Sequence, residues 1–151
     1  MSANNSAHMT FDEVLNDASG LADSIRAASF KPDYLVGLAR GGWIPTRLLS
    51  NYLGVKEILS IGMKYADAER TQLVAYSAPD PMPKGKKLLL IEDCLESGKS
   101  MVAARELLIA AGNEVKTASI YIIEKTQNLP DFYLKKLPQP PLFPWEKLSC
   151  K

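Results

Sequence analysis

The sequence predicts an α/β fold: a single domain with a mostly parallel sheet flanked by helices on both faces, a mobile lid loop and a small irregular C-terminal hood. Three observations carry that prediction. Strand-like runs alternate with stretches of helical spacing along the chain. The runs Tyr34–Ala39 and Leu88–Ile91 contain no charged residue, as strands covered on both faces require. A length of 151 residues supplies one buried core rather than two.

Each element has its own signal. Residues 1–9 (MSANNSAHM) are small and polar and read as a disordered leader, so the domain spans 10–151. Thr10 with Glu13 forms a capping box, and Phe11, Val14, Leu15, Ala18, Leu21, Ala22 and Ile25 recur at helical spacing behind it. A strand at Tyr34–Ala39 turns through Arg40-Gly41-Gly42 into a helix at Trp43–Leu53, with Pro45 in its first turn and Gly54 as its stop. Lys56–Tyr65 reads as a second strand. Residues 66–86 are polar, carry Pro79, Pro81 and Pro83, and read as the lid, since so long a connection in a small domain is usually functional. Lys87–Ile91 is the third strand and breaks at Glu92-Asp93. A helix follows to Ala111, stopped by Gly112, and Val115–Ile123 is the last strand expected. Five of the ten prolines lie between Pro130 and Pro144, which makes the tail irregular and bars it from the middle of a sheet.

The totals exclude several function classes. A formal net charge of +1 offers no bulk attraction to nucleic acid or to an acidic membrane surface. Two cysteines, Cys94 and Cys150, and the one histidine, His8, make neither a disulfide framework nor a zinc set. No apolar run approaches the roughly 18 residues of a membrane span, and the N-terminus lacks the pattern of a secretion signal. The expected setting is cytoplasmic and reducing, with no nucleic-acid or membrane partner.

Chemistry concentrates in Leu88–Ser100, LLLIEDCLESGKS. Ligands of parallel sheets sit beyond the carboxyl ends of the strands, where Glu92 and Asp93 fall. Neighbouring carboxylates suit a vicinal diol or a hydrated divalent cation. Glu96-Ser97-Gly98-Lys99-Ser100 then leads into a helix whose exposed N–H groups favour a phosphate. Diol at one end and phosphate at the other describe ribose 5-phosphate. An acidic N-capping turn with no ligand is the plain alternative. A P-loop would need glycine where Asp93 stands.

The same segment resembles the thirteen-residue signature of type I phosphoribosyltransferases: four apolar residues, two acids, two mostly apolar residues, and an Asp-Thr-Gly-x-Thr-like run. Glu92, Asp93, Gly98 and Ser100 fall on the pattern, Ser97 stands for threonine, and Glu96 stands for aspartate. The resemblance implies that a base displaces pyrophosphate from phosphoribosyl pyrophosphate with Mg2+ bound. It implies that Glu92 and Asp93 hold the ribose hydroxyls directly or through the metal's water. Residues Glu96, Ser97, Gly98, Lys99 and Ser100 would hold the 5-phosphate, and Glu96 would exchange a proton with the base. Ala39-Arg40-Gly41 resembles the family's pyrophosphate loop. Lys64, at the mouth of the lid, joins that set, and Arg70 and Tyr76 are lid candidates.

The layout of the tail resembles that of short 6-oxopurine phosphoribosyltransferases, which favours hypoxanthine or guanine as the base. Lys125 matches a lysine that contacts the purine 6-oxygen, and Glu146 matches a metal-side acid. The stacking ring expected near Pro140-Pro141 is missing, with Phe143 and Trp145 as substitutes, or Phe132 and Tyr133. Leu142 stands where the bacterial xanthine–guanine type has an acid. The base-binding tail is thus expected over about residues 125–146. The resemblance further implies a homodimer or homotetramer. Transfer to another base, and a non-catalytic nucleotide sensor on the same fold, are the alternatives.

Overall fold

The computed structural model describes residues 7–147. Ten elements follow in order: α1 (Phe11–Ala27), β1 (Tyr34–Ala39), α2 (Trp43–Leu53), β2 (Ile58–Tyr65), β3 (Leu73–Ser77), β4 (Lys87–Leu95), α3 (Lys99–Ala110), β5 (Glu114–Ile123), β6 (Phe132–Leu137) and a 3-10 turn at Pro144–Lys147. The strands form one sheet in the order β3-β2-β1-β4-β5-β6. All neighbours are parallel except the antiparallel pair β2–β3. No helix among the described residues is long and apolar enough to cross a membrane.

The apolar strand runs are explained by two-sided burial. Leu35, Leu89, Ile91, Ala118 and Ile120 pack under α1 and α2. Val36, Leu38, Leu88, Leu90 and Val115 face the opposite layer, with Met101, Ala104 and Leu108 of α3. Alternate residues of one strand thus enter different cores, and burying each of these leucines contributes about 1.5–3 kcal/mol. The α1 start is the capping box read from sequence: Glu13 N–H donates to Thr10 Oγ1 at 3.2 Å and Thr10 N–H to Glu13 Oε2 at 2.7 Å.

Four expectations need correction. First, β4 does not break at Glu92-Asp93 but continues to Leu95, paired with β5 as far as Leu95↔Ile122. The strand disfavour of acidic residues, within about 1 kcal/mol, yields to a register already set by the apolar residues before them. Second, the lid segment contains β3, a short, exposed edge strand folded back on β2. Third, the tail contains β6, on the far edge of the sheet and flanked by Pro130 and Pro138. Fourth, the leader is not wholly disordered. Residues 1–6 lie outside the described residues, but Met9 is buried, His8 bridges Leu142, and Met9 N–H donates to the Leu142 carbonyl at 3.0 Å.

Candidate functional site

From β1 the chain moves outward to β2 and β3, whereas from β4 it moves the other way to β5 and β6. The order therefore reverses between β1 and β4, the place where open α/β sheets leave a crevice at their carboxyl edge. Arg40-Gly41 at the end of β1 and Glu92-Asp93 on β4 meet there. The approach at Gly41 is very close: a Cβ on it would lie 2.5 Å from Glu92 Oε1 and 2.6 Å from Asp93 Oδ1. A side chain there would have to push both carboxylates aside. The Ala39–Arg40 peptide just before it is cis. Lys64 is exposed near the end of β2, two residues past Gly62, which pairs with Ala39.

The two acids are half-buried and partly satisfied by the backbone. Glu92 Oε1 accepts the Asp93 N–H at 3.0 Å, and Asp93 Oδ1 accepts the Cys94 N–H at 2.6 Å. Burial first, and then the neighbouring Asp93 charge, push the Glu92 carboxyl well above its usual range. Burial likewise raises Asp93, against the hydrogen bonds it accepts and with the Glu146 charge adding to the rise. Burial and the surrounding acids push the Cys94 thiol up to about 12, so it stays a protonated, unreactive group. The pair thus holds more negative charge than its surroundings offset. Two adjacent hard oxygen donors of that kind fit a hydrated divalent cation, which Mg2+ sites commonly complete with water and substrate phosphate.

Beyond β4 the chain forms an anion cradle. Gly98 has a left-handed φ of 76° and, as N-cap of α3, has no side chain to cap the helix. The Lys99 N–H donates to Ser97 Oγ at 3.4 Å, and the start of the helix is the end that favours an anion. Glu96–Ser100 line a cavity of about 170 Å³ together with Leu38, Glu92 and Cys94. A neighbouring cavity of about 380 Å³ is lined by Glu96, Ser97, Lys99, Ile123, Lys125 and Gln127. The structure thus brings Lys125 to the same hollow as Glu96, although 29 positions separate them in the sequence.

The tail residues are placed differently. Phe143 is only 2% exposed and belongs to the core under α1, with ring centroids 5.9 Å from Tyr121 and 4.5 Å from Trp145. It fills core volume and has no free face, which corrects its expected role as a stacking ring. Trp145 is partly buried, stacked on Phe143 and 6.3 Å from Phe11. Glu146 lies near enough to Asp93 to raise it, yet its Oε2 accepts the Phe143 N–H at 2.9 Å. Of the lid candidates, the Arg70 guanidinium covers the Tyr65 ring at 4.6 Å, and the Tyr76 ring lies over Gly62. Sequence reasoning missed Thr126, Gln127 and Asn128; polar residues in a loop carry no periodicity that would single them out.

A switch-point crevice with a carboxylate pair on one side and a helix start on the other is an arrangement suited to hydroxyls or a cation at one end and an anion at the other. The comparisons make this specific: residues 10–147 match the phosphoribosyl transferase domain family, and the chain belongs to it. The protein is accordingly a type I phosphoribosyltransferase, a pentosyl-transferring glycosyltransferase, and it is similar over nearly its whole length to enzymes of the 6-oxopurine type. A xanthine-guanine phosphoribosyltransferase of Gluconobacter oxydans is 29% identical over 93% of this chain and 84% of its own length. The crystal structure of a purine phosphoribosyltransferase from Pyrococcus horikoshii is 28% identical, covers 96% of each chain and superposes with a TM-score of 0.83. An orotate phosphoribosyltransferase of Bartonella tribocorum is 34% identical over 71% of this chain but only 52% of its own length.

Proposed function

We propose that the protein transfers the phosphoribosyl group of phosphoribosyl pyrophosphate to a 6-oxopurine, hypoxanthine or guanine, releasing pyrophosphate, in nucleotide salvage. The observation that carries this reading is the shared cavity of Glu96 and Lys125 beside the phosphate cradle. Ser97–Ser100 hold the 5-phosphate, and Glu92 and Asp93 hold the ribose hydroxyls or the cation's water. Ala39, Arg40, Gly41 and Lys64 meet the pyrophosphate. The bond from the ribose C1 to pyrophosphate oxygen breaks as the bond to the base nitrogen forms, and Glu96 takes the proton the base gives up. Lys125 donates to the 6-oxygen; an amino purine cannot accept that bond. Glu92 and Asp93 are the residues that would hold Mg2+, whose chemistry is to neutralise charge on the leaving pyrophosphate. Among the described residues Glu146 does not close a three-acid cluster with them, and its part would be to add negative charge nearby.

A second reading, transfer to another base, is favoured by two observations. Phe143 is a core residue, so the tail lacks the expected ring, and an orotate enzyme is among the relatives. We also infer a homodimer or homotetramer, supported by the exposed Trp43 and Ile58. The deciding assay supplies Mg2+, phosphoribosyl pyrophosphate and, separately, guanine, hypoxanthine, xanthine, adenine, uracil and orotate, and measures the nucleotide formed. Turnover with hypoxanthine or guanine is expected. Turnover only with a pyrimidine would sink the 6-oxopurine assignment, and binding without turnover of any base would favour a nucleotide sensor.

A further inference from the structure

The loop after β5 is fastened to the phosphate loop by two side chains. Thr126 Oγ1 donates to the Leu95 carbonyl at 2.7 Å and accepts the Ile123 N–H at 3.1 Å. Asn128 Nδ2 donates to the Ser97 carbonyl at 2.9 Å. The loops press together at that point: a Cβ on Gly98 would lie 2.7 Å from the Asn128 carbonyl oxygen. Parity divides the loop between two tasks. Lys125 and Gln127 line the cavity shared with Glu96, whereas Thr126 and Asn128 bind its floor.

We propose that Thr126 and Asn128 are positioning residues for base recognition: they hold the Lys125 backbone at a set place beside the 5-phosphate cradle, and so set the reach of its ammonium relative to the ribose carbon at which the base attacks. The proposal rests on the reading that Lys125 meets the base. Lysine's flexible four-carbon stem sets a maximum reach for its ammonium, so the region the ammonium can sample is decided by where its backbone is held. A loop bonded only to its own strand could shift toward or away from the sugar without breaking the sheet. Here both fastenings run from the loop to backbone carbonyls of Leu95 and Ser97, on either side of Glu96. The proton-transfer residue and the base-reading residue are thereby held by one small frame.

The test compares Thr126→Val, which keeps the shape and removes both bonds, with Thr126→Ser, which keeps the hydroxyl, and with Lys125→Ala alone and combined with Thr126→Val. Steady-state kinetics are read with guanine and with phosphoribosyl pyrophosphate as the varied substrate. Thr126→Val should raise KM for guanine about ten-fold, the effect of weakening roughly one bond from the displaced Lys125 to the base. KM for phosphoribosyl pyrophosphate should stay within about two-fold, and Thr126→Ser should restore the parent value. In the Lys125→Ala background the Thr126→Val change should add nothing, because positioning acts through the lysine. An equal rise in both KM values, or a full additional loss without Lys125, would overturn the positioning role. If Lys125→Ala alone leaves KM for guanine unchanged, the base-site reading fails first and the proposal falls with it.

Discussion

Tyr121 donates its phenolic hydrogen to Asp17 at 2.6 Å, joining β5 to α1 across the core. Asp17 is 8% exposed and also accepts Lys135 of β6 at 2.7 and 2.9 Å, so one carboxylate ties three elements together. Burial first, and then the Asp17 hydrogen bond, hold the phenol far above its usual range, so it remains a donor. Tyr121→Phe should cost about 1.5–3 kcal/mol, the value of a hydrogen bond to a charged group. Asp17→Ala should cost more, since it strands the buried hydroxyl. Urea unfolding with an unchanged m value would report both; a silent Tyr121→Phe would mean the bond contributes nothing net.

Gly41 and Gly42 should respond differently to alanine. At Gly41 the new methyl meets the ends of the Glu92 and Asp93 side chains, whereas at Gly42 it meets the backbone of Ile91 and Leu38. Side-chain ends can yield and central strands cannot. Gly42→Ala should destabilise by about 3 kcal/mol or more, the upper range of overpacking costs. Gly41→Ala should change stability by less than about 1 kcal/mol while weakening phosphoribosyl pyrophosphate binding. Thermal melts and calorimetric titration separate the two outcomes, and comparable losses of stability in both variants would contradict the assignment.

Glu92 and Asp93 tie stability to pH with a definite sign. In the unfolded chain their carboxyls titrate at ordinary values near about 4, and in the fold both titrate higher. Between those limits the native state binds more protons than the unfolded one, so the ligand-free protein loses stability as pH rises. Above the folded pKa values the full penalty is present. Glu92→Gln should therefore melt higher than the parent near neutral pH while losing activity, a trade-off common at functional sites. The gain should vanish at about pH 3, below the unfolded carboxyl range. A gain of equal size at both pH values would point to packing rather than charge.

Glu96 is exposed beside the cavity it shares with Lys125, which suits proton exchange with a bound base. Glu96→Gln should lower kcat by about a hundred-fold or more, the lower range for general acid–base catalysis. KM for phosphoribosyl pyrophosphate should move far less. Equal loss in both would remove Glu96 from proton transfer and leave it as a phosphate-loop residue.

The parts of the fold legible in the sequence are those where one physical demand dominates. Leu88–Ile91 announces a strand because both faces are buried, and Thr10 with Glu13 announces a helix start because the pattern is local. The edge strands escaped because their burial is partial: β3 is mostly exposed, and β6 carries Lys135 and Lys136 between flanking prolines. Polar edges are how sheets avoid pairing with other chains, so the signal was weakened by its own purpose. Met9 against Leu142 is a contact between distant parts of the chain with no local signature. At the site, Glu92, Asp93 and Gly98 were legible as a strand-to-helix motif. Phe143 was misread because an aromatic residue looks the same in sequence whether it stacks on a ligand or fills a core. Thr126 and Asn128 acquire meaning only once two loops meet.

The placement of the crevice has a consequence for how such a protein can change. Glu92 and Asp93 stand on β4, and Arg40 and Gly41 follow β1, the two innermost strands, whereas Lys125 sits in the loop leading to the outermost strand β6. A substitution at Glu92 or Asp93 falls on a strand hydrogen-bonded on both sides. One at Lys125 touches only a loop at the rim. The molecule thus resembles a tool with a forged handle and an exchangeable bit: its rim can change without recasting its centre.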